Sequence, residues 1–112
     1  VVNFSSALAT RGMEGSAAYA ASKAGVEGLT RAAAADLARG GVTVNAVAPG
    51  YVDTPMTRGF PPELRERRLG EVGMGRFAAP AEVAAAVSFL ASEDAAYITG
   101  ATLDVCGGFR IQ

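Results

Sequence analysis

Two short strand-like segments flank one long helical segment at the start of this chain, and this order constrains the fold more than any other feature. Residues 1–5 are apolar at first and end in two hydroxyls, which indicates a strand. Residues 17–39 are alanine-rich and predict a helix that ends at two glycines. Residues 42–48 predict a second strand, closed by a Pro-Gly turn. A strand, a long helix and a strand form a βαβ unit with parallel strands.

The rest of the chain continues the α/β pattern. Residues 51–79 are broken by prolines and glycines around a short charged helix at 63–69, which is typical of a lid or a binding loop. A helix is predicted over 80–91, because Pro80 suits a first helical turn and apolar residues follow at helical spacing. A turn over 93–100 and a last strand over 102–105 complete one α/β unit.

Composition excludes several classes of function. The chain has 112 residues, a net charge of −1, no histidine and one cysteine. Without histidine it cannot hold a Ser-His-Asp triad, a Cys-His dyad or a His-ligated zinc ion, and we expect no metal site. The balanced charge predicts no nucleic-acid partner, and no apolar run is long enough for a membrane span. The single cysteine fits a reducing compartment, so we expect a cytoplasmic protein.

Tyr19-Ala20-Ala21-Ser22-Lys23 is the strongest chemical signal. Residues four apart on a helix share one face, and Lys23 is the only lysine of the chain. An ammonium beside a phenol stabilises the phenolate, which would suit Tyr19 to proton transfer at a carbonyl. The alternative interpretation is an ordinary helix pair, with the lysine packed on a tyrosine ring.

Two further segments end at the same predicted sheet edge. Ser6 follows the first strand, at the carboxyl end where open α/β sheets bind ligands. The other interpretation is a serine that caps a turn, a role we expect of Ser5 rather than Ser6. The second strand ends in Asn45-Ala46-Val47-Ala48-Pro49-Gly50 and is followed by Tyr51-Val52-Asp53-Thr54, which brings backbone groups and a hydroxyl to this edge.

In combination these motifs resemble the C-terminal half of a short-chain dehydrogenase/reductase, over all 112 residues. Within that family the sequences of these motifs are most similar to those of 3-oxoacyl-(acyl-carrier-protein) reductases. The resemblance also includes Phe89-Leu90-Ala91-Ser92, Tyr97-Ile98-Thr99-Gly100, Asp104 and Gly107-Gly108. It implies that residues 1–112 are the C-terminal part of a single Rossmann-type domain with a doubly wound parallel sheet. The dinucleotide-binding half, with its Gly-rich fingerprint, is then expected upstream of Val1.

The resemblance assigns the catalytic roles. Tyr19 would be the general acid in ketone reduction and the base in alcohol oxidation. Lys23 would stabilise the Tyr19 phenolate and bind the nicotinamide ribose. Ser6 would hold the substrate carbonyl oxygen where negative charge develops.

The resemblance also implies a cofactor and partners. The cofactor would be NADP or NAD, and the family resemblance alone favours NADP. Its carboxamide would bind the Val52 backbone and the Thr54 hydroxyl, beside Pro49 and Gly50. The substrate would be a small carbonyl or alcohol, with an acyl chain on a carrier protein as one such substrate. The family suggests a dimer or tetramer of identical chains.

Other interpretations remain open at this point. The chain could be a non-catalytic structural or assembly piece, another short-chain dehydrogenase acting on a sugar or alcohol, or a related epimerase or dehydratase. Gly73-Met74-Gly75-Arg76-Phe77-Ala78 mimics a phosphate-binding pattern, but no strand precedes it, so it is interpreted as part of the lid. Cys106 is expected to pack in the core. Arg65, Arg67 and Arg68 are expected on a solvated helix face, with a contact to an acidic carrier or a phosphate as the minority interpretation.

Overall fold

Three parallel strands form the sheet of the computed structural model, which describes residues 1–111. They are β1 (Val2–Phe4), β2 (Asn45–Pro49) and β3 (Thr102–Val105), in the spatial order β1-β2-β3. Both pairings are parallel, so the predicted βαβ unit is confirmed. The middle strand β2 is almost wholly inaccessible to solvent, as expected of a strand with neighbours on both edges.

The strand β2 begins at Asn45, three residues later than predicted. The preceding residues bond outside the sheet, because the Val42 N–H donates to the Leu37 carbonyl and the Val44 N–H donates to the Thr99 hydroxyl. Asn45 then fixes the turn before β3. Its Nδ2 donates to the Ile98 carbonyl (2.8 Å), and its Oδ1 accepts from the Ala101 N–H (3.0 Å). This buried amide is the physical reason for an asparagine at the start of the strand.

The helix α1 (Ala17–Leu37) connects β1 to β2 and continues as a 3-10 turn to Gly40. The prediction of a helix over 17–39 is confirmed within two residues. The larger apolar side chains of α1 do not form its buried face, because Leu29 is 62% exposed and Leu37 43%. The buried side chains are instead Glu27, Thr30 and Ala34. Small and polar groups therefore make the contact between α1 and the sheet.

The helices α1 and α4 (Pro80–Leu90) cover opposite faces of the sheet. Asn3 of β1 donates to Thr30 of α1 (3.1 Å), and Asn3 is paired in register with Ala46. Val47, the next residue, projects to the other face and packs with Val83 and Leu90 of α4. The doubly wound arrangement expected from the sequence is therefore present.

Residues 51–79 contain two helices rather than a continuous loop. The helix α2 (Pro55–Arg58) was not predicted, since four residues give no periodic signal. The helix α3 (Pro62–Glu71) contains the predicted 63–69 segment. An isolated parallel bridge between Val52 and Ala78 joins the two ends of this region.

The solvated-face interpretation of α3 is wrong for two of its three arginines. The Arg65 guanidinium lies 4.6 Å from the centre of the Phe77 ring, which desolvates one of its faces. Arg68 is half-buried and pairs with Glu71 at 2.9 Å. Arg67 alone of the three is exposed.

The remaining predictions agree closely with the structure. The predicted helix 80–91 corresponds to α4, and the predicted strand 102–105 to β3. Glu82 stabilises the start of α4, because its carboxylate accepts from the Ala79 N–H and pairs with Arg76 (2.7 Å). No helix among residues 1–111 is both long enough and apolar enough to cross a membrane.

Candidate functional site

A cleft of roughly 290 Å³ opens at the carboxyl ends of β1 and β2. Six of the seven residues that the sequence analysis assigned to the site line it: Ser6, Tyr19, Pro49, Gly50, Val52 and Thr54. The further lining residues, which the sequence analysis missed, are Ala7, Leu8, Tyr51, Met56, Thr57, Phe60 and Phe109. A mostly apolar cleft with a few convergent polar groups is typical of a small-molecule site.

Ser6 is buried, with 8% of its surface exposed, at the turn that follows β1. Its Oγ accepts a hydrogen bond from the Leu8 N–H (3.2 Å) and so caps the 3-10 turn Ala7–Ala9. The expectation that Ser5 would be the capping serine is wrong, because the Ser5 hydroxyl bonds to Glu27 instead. Capping uses a lone pair of the Ser6 oxygen and leaves its O–H able to donate into the cleft.

Tyr19 and Lys23 lie one turn apart on α1, as their spacing predicts. Tyr19 is 49% exposed at the rim of the cleft. The Lys23 Nζ lies 5.8 Å from the centre of the Tyr19 ring and donates to the Phe4 carbonyl at 3.1 Å. Lys23 is not part of the cleft wall. The last carbonyl of β1 holds its ammonium beside the phenol.

The turn after β2 brings four of the assigned residues to the cleft. Gly50 permits a close approach of two backbone segments there, because a Cβ atom at this position would lie only 3.0 Å from the Cys106 Cα. The Thr57 hydroxyl holds the turn from the other side. It donates to the Val52 carbonyl (2.7 Å) and accepts from the Thr54 N–H (3.0 Å). The spacing Thr54-Pro55-Met56-Thr57, a hydroxyl three residues into a helix started by proline, is the signal that could have identified Thr57.

Aromatic rings line the side of the cleft opposite α1. The Tyr51 ring lies 5.1 Å from that of Phe109, 5.3 Å from Phe77 and 6.3 Å from Phe60. Burial raises the pKa of the Tyr51 phenol above its ordinary value, and the nearby Arg68 opposes this shift. Tyr51 therefore stays protonated near neutral pH. These rings lie in separate parts of the sequence, so no local pattern predicts that they are in contact.

Two features set aside at the sequence level are placed as expected. The segment 73–78 follows the helix α3 rather than a strand, so it has the lid context and not that of a dinucleotide loop. Cys106 is buried in a core cluster with Ala7, Val72 and Phe109. Among residues 1–111, no group of three acidic, cysteine or histidine side chains converges on a point where a metal ion could bind.

The polar groups of the cleft fit the nicotinamide end of a dinucleotide. The Thr54 hydroxyl and the Val52 backbone offer a donor and acceptors in the lining. Although the Val52 carbonyl already accepts from Thr57, a carbonyl oxygen has a second lone pair. Ser6 and Tyr19 offer two further hydroxyls in the same lining, where a reacting oxygen could be held.

Comparison with known proteins agrees with this geometry. A family model described as enoyl-(acyl carrier protein) reductase matches residues 1–110. The 3-oxoacyl-[acyl-carrier-protein] reductase of Pseudomonas aeruginosa is 49% identical over 112 residues, which are 100% of this chain and 45% of that protein. The chain therefore spans less than half the length of this relative, at its C-terminal portion.

Solved structures give the same result. A 3-oxoacyl-[acyl-carrier protein] reductase from Brucella melitensis superposes with a TM-score of 0.95 and 37% identity, covering 99% of this chain and 42% of that one. A short-chain dehydrogenase/reductase variant from Serratia marcescens superposes with a TM-score of 0.92 and 40% sequence identity. The match covers 98% of this chain and 45% of that one. The chain thus belongs to the short-chain dehydrogenase/reductase family and has the fold of its C-terminal portion.

Proposed function

We propose that the protein is an NAD(P)-dependent reductase that interconverts a ketone and a secondary alcohol, with a 3-oxoacyl thioester as its substrate. The observation that carries the proposal is the shared cleft. Ser6 from the end of β1, Tyr19 from α1 and the turn after β2 come from three separate segments and line one space. A structural or assembly role alone would not require these hydroxyls to converge.

In this proposal the hydroxyls handle the oxygen of the reacting carbonyl. Ser6 donates a hydrogen bond to that oxygen, where negative charge develops during reduction. Tyr19 transfers its proton to the same oxygen, and it accepts the proton back in the oxidation direction. Lys23 favours the phenolate form of Tyr19 through its positive charge, and the Phe4 carbonyl keeps the ammonium in place.

The cofactor is proposed as NADP, or NAD in its place, and it supplies a hydride when bound. Pro49, Gly50, the Val52 backbone and the Thr54 hydroxyl would hold its nicotinamide end. Thr57 would support this binding indirectly, because it fixes the turn between Val52 and Thr54. The preference for NADP depends on family resemblance alone.

The apolar part of the lining favours an acyl chain over a sugar. Leu8, Met56, Phe60 and Phe109 offer no polar side-chain groups for the hydroxyls of a sugar. We propose that the acyl chain of the substrate can be attached to an acidic carrier protein or to a phosphate-bearing group. The support for this is exposed Arg67, which lines a polar depression with Arg11 and Arg68. Glu14 and Glu71 also line this depression, and Glu71 pairs with Arg68.

We also propose a homo-oligomer, a dimer or a tetramer, in the cytoplasm. Leu29 and Leu37 expose apolar surface on a helix whose many alanines permit close packing of a second helix. The cytoplasmic placement fits the one cysteine, which is buried and unpaired. Light scattering on the full-length protein would give the number of subunits.

The substitution Tyr19→Phe in the full-length protein tests the proposed function. We expect ketone reduction to fall by about 1,000-fold, because the proton donor is lost. Cofactor affinity, measured by nicotinamide fluorescence, should stay within about twofold, since the ring remains. Tyr97→Phe is the matched control, because Tyr97 is fully exposed. Unchanged turnover in Tyr19→Phe would refute the proposal, and absence of saturable cofactor binding by the parent protein would favour the structural role.

A further inference from the structure

Two buried charges lie beside the cleft and have no part in the reaction proposed above. Glu27 on α1 is 7% exposed, and Arg110 beyond β3 is 8% exposed. The Arg110 Nη1 lies 3.2 Å from the Glu27 Oε1, and Asp104 pairs with the same guanidinium at 2.6 Å. Burial of a charged pair costs much of what the pairing gains, so such a pair is weak evidence of a role in stability alone.

This charged pair is bonded directly to the segment that carries Ser6. The Ser5 hydroxyl donates to the Glu27 Oε1 at 2.8 Å, and it also lies 3.3 Å from the Lys23 carbonyl. The Arg110 Nη1 lies 3.5 Å from the Ser6 carbonyl. The network therefore contacts the backbone of both Ser6 and Lys23, on the two elements that supply the proposed catalytic groups.

We infer that Glu27, held by Arg110 and bonded to Ser5, is a positioning residue for Ser6, Tyr19 and Lys23. This inference rests on the proposed function. The other buried side chains of α1 are Thr30 and Ala34, and the bond between Thr30 and Asn3 lies two helical turns away from Lys23. Hydrogen bonds have a direction, so the Ser5–Glu27 bond fixes how far α1 extends past the end of β1. That distance sets the separation of Tyr19 and Lys23 from Ser6.

The chain offers a matched pair of substitutions for the test. Ser5→Ala removes the hydroxyl that joins β1 to Glu27. Thr30→Val removes another buried hydroxyl that joins α1 to β1, through Asn3, two helical turns beyond Lys23. Each variant removes one hydroxyl that links α1 to β1 or to the residue that follows it. Only the first loses it next to the proposed catalytic groups.

In the full-length protein we expect Ser5→Ala to lower kcat by about tenfold, because small displacements of reacting groups reduce rates steeply. Thr30→Val should leave kcat within about twofold, although both variants unfold at lower denaturant concentration. Ser5→Thr, which keeps the hydroxyl, should restore most of the rate. Equal kcat values in Ser5→Ala and Thr30→Val would overturn the inference.

A second measurement needs no turnover. Amide hydrogen exchange across residues 19–27 should become faster in Ser5→Ala and not in Thr30→Val, and the opposite or an equal response would overturn the inference. Glu27→Gln keeps an acceptor for Ser5 and should lose less activity than Glu27→Ala. Should the Glu27 variants fail to fold, the Ser5 variants still decide the question. Loss of turnover in Tyr19→Phe tests the proposed function independently of these results.

Discussion

The side of the cleft formed by β1 and α1 is held by polar bonds, whereas the side formed by residues 51–79 and the chain beyond β3 is packed from aromatic rings. We use the name polar wall for Ser6, which lines the cleft, together with Ser5, Lys23 and Glu27 behind it. The aromatic wall is Tyr51, Phe60 and Phe109, which line the cleft, together with Phe77 behind them. Ser5, Lys23 and Glu27 each have a hydrogen bond to a neighbouring segment, and the Ser6 hydroxyl caps its own turn through the Leu8 N–H. The rings of the aromatic wall meet at tilted and edge-to-face angles.

The difference follows from what each side would do in the proposed reaction. Proton transfer depends steeply on distance and angle, so the groups that perform it need bonds that resist displacement. An acyl chain needs only a dry surface of suitable shape, which apolar rings provide without directional contacts. Substitutions in the polar wall should therefore affect rate, and those in the aromatic wall should affect stability and substrate preference.

The largest expected effect is in the polar wall. Lys23→Met in the full-length protein should lower kcat by about 1,000-fold, equivalent to about 4 kcal/mol, because the ammonium beside Tyr19 is lost. Circular dichroism should show an unchanged fold, since Lys23 makes a single side-chain bond to the Phe4 carbonyl. Lys23→Arg keeps the charge in a larger planar group, so its kcat is expected to lie between those of the parent protein and Lys23→Met. A kcat within threefold of the parent would contradict the role given to Lys23.

The aromatic wall should show the reverse behaviour. Phe77→Ala should lower the free energy of unfolding by about 3 kcal/mol, because a buried ring leaves a cavity between Tyr51 and Arg65. Since Phe77 does not line the cleft, kcat for a short ketone should change little. Urea denaturation and steady-state kinetics on the same preparation would separate the two quantities. A large loss of kcat with unchanged stability would remove the distinction between the walls.

The smallest effect is expected at an exposed ion pair, which shows what a directional bond contributes when water surrounds it. Arg76, through its hydrogen bond, and the Ala79 N–H lower the pKa of Glu82 to about 2, well below its ordinary value. A carboxylate with a lowered pKa stabilises the folded state above its unfolded pKa, and this contribution is lost as the pH falls towards 2.

Glu82→Gln should therefore be slightly less stable than the parent at neutral pH, and the difference should disappear as the pH approaches 2. Added salt should also reduce it, because both side chains are exposed. Thermal unfolding at several pH values would measure the change. A difference that grows with acidification would show that the pair is not the cause.

Six of the seven residues assigned from the sequence line one cleft, but the sequence analysis did not predict the residues that hold them in place. Ser6, Tyr19 and the turn after β2 were identified because each follows a local pattern: a strand end, a helical spacing or a Pro-Gly turn. Phe109 and Arg110 were missed, because what they contact is about a hundred residues away in sequence. The solvated interpretation of Arg65 was wrong for the same reason, since the Phe77 ring that covers it belongs to another segment.

The sequence by itself determined the parallel βαβ unit, the position of α1 and the candidate catalytic groups, because strand propensity, helical periodicity and turn residues act over a few neighbouring positions. The tertiary structure decided which face of α1 is buried and which serine caps the turn. It also decided how Glu27, Arg110 and Ser5 meet. Burial depends on which segments pack together, and hydrogen bonds between distant residues exist only after that packing has brought them within about 3 Å.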